Sequence, residues 1–181
     1  MVHSGSKALK CYSMPPSPQM TTAKASLSTT LLYFTKGDDV WFSGWYHVAE
    51  GGMPFTVMDL ECTHFKEHPG MRIMVGQDGY VRFELKWAKK PTYRQPREKR
   101  VLFPAGRWVH LKSRLKLSET ADGVIQLWQD GVKLIDEHGQ TLPLANAIYD
   151  SLEIGISAHS FGSDAATLFV DDIVISEKPL K

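Results

Sequence analysis

The sequence lacks several features that would assign it to other classes of protein. No apolar run approaches the ~18 residues that a membrane-spanning helix needs, and the N-terminal MVHSGSKALKCYSMPPSPQM has no apolar segment typical of a signal peptide. The formal net charge of the 181-residue chain is +1, so no global field attracts nucleic acid or a membrane surface. We therefore expect partners of neither kind.

Cysteine is also scarce. The chain has two cysteines, Cys11 and Cys62, which are too few for a disulfide framework or a structural zinc site. Two buried thiols are the favoured interpretation, and a single bridge between them is the alternative. No cofactor is required by any motif in the sequence.

Helical periodicity is absent as well, and strand patterns take its place. Short runs of aromatic and β-branched residues alternate with turn signals such as Gln77-Asp78-Gly79, where glycine tolerates a positive φ. Many short strands at fairly even spacing predict an all-β fold, a two-sheet antiparallel jelly-roll sandwich forming one domain over residues 1–181. The predicted strands are Lys7–Ser13, Lys24–Tyr33, Val40–Val48, Phe55–Cys62, Met71–Val75, Tyr80–Trp87, Arg107–Leu117, Val124–Gln129, Val132–Ile135, Ser151–Ser157 and Thr167–Ile175.

One segment interrupts this pattern with a cluster of positive charge. Ala88–Arg100 is rich in lysine and arginine and contains Pro91 and Pro96, which predict an exposed loop. Such a loop could steer an anionic polysaccharide, and a merely solvated loop is the plainer alternative.

Alternation along each predicted strand separates an apolar face from a hydrophilic one. The hydrophilic faces of three strands combine aromatic rings with charged groups: Tyr80, Arg82, Glu84 and Lys86; Trp108, His110, Lys112 and Arg114; and Trp128. Sugar rings stack on aromatic surfaces and bond through their hydroxyl groups. We expect these side chains to meet on one concave sheet that binds a polysaccharide or oligosaccharide. An ordinary solvated sheet face is the alternative.

Several segments resemble the concanavalin A-like jelly-roll superfamily, and within it the heparin lyase I and glucuronan lyase group. Gly106-Arg107-Trp108 is similar to a strand of that group, and a polar turn and a hairpin ending in Trp128 and Asp130-Gly131 follow it. The other similar segments are His3–Leu9, Gly37–Val48 and Phe169–Val174. The resemblance implies a carbohydrate-handling jelly roll that is secreted or periplasmic.

The catalytic motifs of that lyase group are not matched here. Where those lyases carry Arg-x-Glu-Leu, Gln-x-His and a tyrosine near the end of the penultimate strand, this chain has Lys24–Leu27, Asp59–Glu61 and Gly155–Ser157. β-Elimination from a uronate needs a group that neutralises the carboxylate and a base for the C5 proton. Whether the chain is an enzyme therefore stays open, with a lyase favoured over a glycoside hydrolase.

Candidate site residues nevertheless exist outside those motifs. The catalytic candidates are His110, Arg114, Tyr80, Glu61 and Asp59, and the ligand-binding candidates are Trp108, Trp128, Arg82, Lys86, Glu84 and Lys112. Asp59 and Glu61 share a strand face, yet a retaining glycosidase needs its carboxyl groups about 5–5.5 Å apart, and the fuller acidic motif of jelly-roll glucanases is absent.

Asp171 and Asp172 are the candidate metal ligands. In jelly-roll carbohydrate proteins an acid near the last strand often joins a calcium site, and Ca²⁺ takes about six to eight oxygen ligands. The two aspartates could bind a structural calcium ion or form a hydrogen bond that closes the sheet edge, and the sequence leaves both alternatives open.

Three functions follow in order. The hydrophilic strand faces favour recognition of a polysaccharide, which could be anionic. β-Elimination of a uronate polymer comes second, and a non-catalytic protein-interaction sandwich comes third.

Overall fold

The two sheets of the computed structural model are both antiparallel and six-stranded, and they form a sandwich. The structure describes residues 1–50, 52–53, 55–87 and 92–180, and only the backbone of residue 50. The predicted all-β jelly roll is confirmed. No helix in these ranges is long and apolar enough to cross a membrane.

Within the described ranges, twelve strands make up the two sheets. They are β1 (Leu9–Ser13), β2 (Ala23–Thr29), β3 (Asp39–Glu50), β4 (Phe55–Glu61), β5 (Gly70–Val75), β6 (Val81–Leu85), β7 (Thr92–Tyr93), β8 (Trp108–Lys116), β9 (Gly123–Gln129), β10 (Val132–Gly139), β11 (Ser151–His159) and β12 (Ala166–Ser176). The first sheet has the order β1-β12-β3-β8-β9-β10, and the second has the order β2-β11-β4-β5-β6-β7. The chain therefore crosses between the sheets repeatedly.

The inner faces of both sheets form the core, as the alternation of side chains requires. In β6, Val81, Phe83 and Leu85 are at most 1% exposed, and in β8 Val109 and Leu111 are fully buried. Burial of such side chains stabilises the fold by roughly 25 cal/mol per Å² of apolar surface. The other face of each strand is left outside the sandwich.

A close approach of the two sheets explains one glycine. Gly155 in β11 has a φ of +106°, and a Cβ there would lie 2.6 Å from the Cys11 sulfur of β1. Only glycine accepts that backbone conformation without strain, and only a residue without a side chain fits the gap.

The basic segment differs in part from its prediction as a loop. Ala88–Pro91 lies outside the described residues, but Thr92 and Tyr93 form β7, and Arg97–Lys99 form a short 3₁₀ helix. The buried amide of Gln95 causes this order, because it donates to the carbonyl oxygens of Val81 and Val101 and accepts from the Val101 backbone.

Both cysteines are buried free thiols, as the favoured interpretation held. Burial raises the pKa of the Cys11 thiol, and it raises the pKa of Cys62 to about 12. Neither thiol is poised to react, since the thiolate is the reactive form.

Candidate functional site

The structure divides the predicted site residues between the two sheets. Tyr80, Arg82, Glu84, Lys86, Asp59 and Glu61 lie on or beside the second sheet, whereas Trp108, His110, Lys112, Arg114 and Trp128 lie on the first. The expectation of one shared surface is wrong, because alternation fixes which side of a strand is hydrophilic but not which sheet the strand joins. We call the outer face of the second sheet the charged face, and that of the first sheet the aromatic face.

A ladder of charged side chains crosses the charged face. Strand register places Glu153, Asp59, Arg72 and Glu84 side by side on β11, β4, β5 and β6. Arg72 donates to Glu84 from Nε at 2.9 Å and from Nη2 at 2.5 Å. Opposite charges directly across neighbouring strands stabilise a sheet, so Asp59 and Glu84 on either side help to fix the position of Arg72. Glu153 and Asp59 are like charges, and each is instead paired with a lysine, Lys24 and Lys86 respectively.

Lys86 joins two carboxylates at the next step along the strands. Its ammonium lies 3.1 Å from an oxygen of Asp59 and donates a short hydrogen bond to Glu61. Burial raises the pKa of the Asp59 carboxyl to about 6, and Lys86 opposes that shift while Glu61 adds to it. The Asp59 side chain is 8% exposed, against 19% for Lys86 and 20% for Glu61. Lys86 and Glu61 are therefore the members that a ligand could reach.

Two clefts lie at opposite ends of the charged face. One, of about 460 Å³, is lined by Arg72, Met74, Gly76, Gln77, Asp78, Arg82, Glu84, Thr92, Arg94 and Phe161. The other, of about 560 Å³, is lined by Phe65, Lys66, Glu67, Pro69, Lys86, Trp87, Pro143 and Leu144. Glu84 of the first cleft and Lys86 of the second are two residues apart on one strand face, so roughly 7 Å separates the inner ends of the clefts. We call the first the arginine cleft and the second the tryptophan cleft.

The arginine cleft combines an aromatic ring with planar hydrogen-bonding groups. Phe161 is 50% exposed at its rim. Arg82 donates to Asp78 at 2.6 Å, and hydrogen bonds from Arg82 and the Tyr80 backbone hold the pKa of Asp78 below its usual value against the effect of burial. Tyr80 itself lies at the outer end, where the Arg100 guanidinium sits 5.1 Å from its ring centre.

The aromatic face carries rings in neighbouring rows of the first sheet. Trp45 stacks on His110 with ring centres 4.9 Å apart, and His3 stacks on Trp45 at 3.8 Å. Burial lowers the pKa of His110, and the nearby Lys112 lowers it further. Arg114 donates to Asp39 from Nε and Nη2, so its guanidinium is held in place. The role of His110 as a catalytic candidate stays a prediction.

The two candidate metal ligands bind the N-terminal segment. Asp171 accepts a bond from the His3 backbone, and Asp172 accepts bonds from the Ser4 hydroxyl and the His3 ring. Hydrogen bonds from Ser4 and His3 hold the pKa of Asp172 below its usual value. The described part of the chain contains no group of three or more acidic, histidine or cysteine side chains that could hold a metal ion. Calcium binding here stays a prediction.

The sequence analysis missed Arg72, Phe161, Trp41 and Trp45. Arg72 and Met74 alternate with the buried Met71, Ile73 and Val75 of β5, so the same alternation could have identified Arg72. Trp41 and Trp45 share a face of β3, but both faces of that strand are aromatic and the pattern did not single them out. Phe161 lies in an irregular loop and has no pattern that marks it.

Comparison with known proteins identifies the family. A family model described as polysaccharide lyase matches residues 1–173. The chain belongs to the polysaccharide lyase family. A search of curated proteins finds no matching sequence.

Solved structures of this family's kind share the fold at low identity. The endo-β-1,4-glucuronan lyase from the fungus Trichoderma reesei is 11% identical, with a TM-score of 0.77 over 96% of this chain and 82% of that one. The cellulose induced protein Cip1 is 18% identical, with a TM-score of 0.69 over 98% and 83%. Alginate lyase AlyC3 is 8% identical, with a TM-score of 0.63 over 93% and 74%. Family membership makes this polysaccharide lyase homologue a carbohydrate-recognising jelly roll.

Proposed function

We propose that this polysaccharide lyase homologue binds an acidic polysaccharide along the charged face, from the arginine cleft to the tryptophan cleft. The supporting observation is the set of arginines in the arginine cleft, two of them held by Glu84 and Asp78, beside an exposed phenylalanine. Arginine presents a planar fork that matches a carboxylate, and an aromatic ring covers the apolar side of a sugar.

Charge at the arginine cleft favours a uronate over a neutral sugar. Its lining includes Arg72, Arg82 and Arg94 against Asp78 and Glu84, and no ion pair among the described residues uses Arg94. Arg94 is thus available to a ligand carboxylate. A secreted or periplasmic location suits such a ligand, because a polymer of this kind is too large to enter a cell.

Binding is tested by calorimetric titration with glucuronate and alginate oligosaccharides. We expect Phe161→Ala and Arg94→Gln each to weaken binding about tenfold, which corresponds to roughly 1.4 kcal/mol. Tyr33→Ala is the matched control, since Tyr33 is 70% exposed and lines none of the described clefts. Equal affinities for both cleft variants and the control would contradict the proposal.

β-Elimination is the second candidate, and the Lys86–Glu61 pair supports it. In that reaction the Lys86 ammonium would neutralise the uronate carboxylate, and the Glu61 carboxylate would take the C5 proton. The electron pair then forms the C4–C5 double bond, the C4–O bond breaks, and the leaving oxygen gains a proton from water. Asp59 would be a positioning residue, because it holds Lys86 from beneath.

The two candidates differ in product. A lyase generates unsaturated uronate ends that absorb ultraviolet light, and Glu61→Gln should abolish that signal while oligosaccharide binding persists. A wild-type protein that binds the oligosaccharides without any rise in absorbance is a binding protein only.

A further inference from the structure

The aromatic face lies on the opposite side of the sandwich from both clefts. Four of the chain's five tryptophans, Trp41, Trp45, Trp108 and Trp128, point outward from it, on β3, β8 and β9. An outer sheet face exposed only to water normally carries polar side chains. A concentration of half-buried indoles at such a face indicates a binding surface.

Trp41 and Trp128 form a stacked pair on this face, which we call the platform. Their ring centres are 5.9 Å apart and their planes differ by 21°. They lie in neighbouring rows of the sheet, on strands that flank β8. Trp45, by contrast, is covered by the ring of His3. The two indoles are therefore stacked on one another and form one aromatic cluster over β8.

Positive groups surround this platform. Lys112 and Lys133 lie 5.3 and 5.6 Å from the ring centre of Trp128, and Arg114 lies 5.5 Å from that of Trp41. A cation over an indole is attracted by the ring and held near it. Each indole thus has at least one cation over its ring, close to where a sugar carboxylate would lie.

The charges of the aromatic face do not cancel. Its outward cations are Lys10, Lys112, Arg114, Lys116 and Lys133, and its outward acids are Asp39, Asp136 and Asp171. Asp39 pairs with Arg114, and Asp136 pairs with Lys133. The hydrogen bond that Lys112 makes within the described residues goes to the backbone carbonyl of Leu180. Asp172, which binds the His3 ring stacked on Trp45, is a fourth acid, so lysines and arginines exceed the acids of this surface by one.

We propose that Trp41 and Trp128, with Lys112, Arg114 and Lys133, form a second binding surface for an acidic polysaccharide on the back of the sandwich. The indoles stack on sugar rings and the flanking cations pair with sugar carboxylates. A chain with a surface on each side can hold two polymer strands or two parts of one.

Indole N–H resonances report on this surface separately from the clefts. Trp87 lines the tryptophan cleft, whereas the other four tryptophans lie on the aromatic face. We would titrate isotopically labelled protein with a glucuronate tetrasaccharide and with uncharged cellotetraose, assigning each signal by tryptophan-to-phenylalanine substitution. The proposal expects saturable shifts of Trp41 and Trp128 with the acidic probe, and several-fold weaker binding of cellotetraose.

Substitutions then separate the two surfaces. Trp128→Ala should weaken binding at the aromatic face about tenfold, and Trp128→Phe should restore most of it because the stacking ring remains. Phe161→Ala, in the arginine cleft, is the matched control and should leave the Trp41 shift unchanged. The indole spectrum of each variant also shows whether it is folded.

Several outcomes would overturn the proposal. Shifts confined to Trp87 would leave the charged face as the binding surface and exclude the second one. Unchanged Trp41 and Trp128 signals at saturating tetrasaccharide would do the same, whatever happens in the clefts. Concentration-dependent shifts without any sugar would show that the face binds another copy of the chain.

Discussion

The charged face and the aromatic face differ in the kind of side chain that each carries on its outer surface. On the charged face Lys24, Arg72, Arg82 and Lys86 balance Asp59, Glu61, Glu84 and Glu153. On the aromatic face indoles and imidazoles occupy the equivalent positions, and cations outnumber acids. The first surface pairs most of its charges across the strands and leaves Arg94 without an ion pair among the described residues, whereas the second carries aromatic rings beside its cations.

The ion pairs of the two faces also differ in how far they are shielded from water, and so in how much they contribute to stability. Lys86 and Asp59 pair with side chains 19% and 8% exposed, whereas Lys133 and Asp136 pair at 42% and 52%. A shielded pair is costly to break because one charge stays behind without water, but an exposed pair contributes little. The ion pairs of the charged face should therefore contribute more to stability than those of the aromatic face.

The largest effect is expected from Lys86→Met. It leaves the Asp59 carboxyl shielded and without its ammonium partner, which should lower the free energy of unfolding by about 3 kcal/mol at neutral pH. Urea denaturation measures this value. The control on the same face is Lys24→Met, whose lysine is 57% exposed in its pair with Glu153 and should cost about 0.5 kcal/mol. Equal losses of unfolding free energy in the two variants would show that shielding from water does not decide how much an ion pair contributes.

Asp59→Asn tests how the shielded carboxyl of the charged face makes the stability of the protein depend on pH. Burial raises the folded-state pKa of Asp59 from 3.8 to about 6, so the folded protein holds this proton more tightly than the unfolded chain does. The Asp59 contribution to the free energy of unfolding should therefore fall as pH rises from about 4 to 6, and then stay level. The wild type should lose about 2 to 3 kcal/mol relative to Asp59→Asn over that range. Parallel stability curves for the two proteins would show that Asp59 titrates normally.

His3→Ala tests whether the N-terminal segment supports the aromatic face. Removing the ring stacked on Trp45 should lower the free energy of unfolding by about 1 kcal/mol and change the Trp45 indole resonance. The Trp128 resonance should stay in place, because His3 does not stack on it. Ser6→Ala, at an exposed residue of the same segment, serves as the control. An unchanged Trp45 signal would show that the segment does not lie on this face in solution.

Lys133→Gln should have the smallest effect on stability. Its exposed pair with Asp136 should contribute only about 0.3 kcal/mol. Its place beside Trp128 nevertheless predicts severalfold weaker binding of an acidic oligosaccharide to the aromatic face. Lys36→Gln is the matched control, since that exposed lysine pairs with Glu119. A large loss of stability with unchanged binding would reverse the roles assigned to the two faces.

Much of the fold could be predicted because its evidence is local. Alternation in β6 and β8 identified Val81, Phe83, Val109 and Leu111 as core residues, and each is buried. The same alternation placed Arg82 and Trp108 outside the core. β7 was missed because it is a two-residue strand whose order depends on the distant bonds of Gln95.

The candidate site was less predictable. Asp59 and Lys86 meet across β4, β5 and β6, and Trp41 and Trp128 meet across β3, β8 and β9. Such pairs are brought together by the order of the strands in the sheet. The spacing of residues along the chain does not predict that order. Phe161 shows the same limit, since its loop reaches the arginine cleft only through the folding of the second sheet.

The sequence by itself determined the strands, the inner and outer side of each, and the supply of tryptophan and charge, because a strand's period of two is written in successive residues. Only the tertiary structure decided which sheet each strand joined. That choice also separated the aromatic rings from the ladder of charged side chains. That choice depends on pairing between residues far apart in the chain, where burial of both sheets' apolar faces, rather than any local preference, sets the outcome.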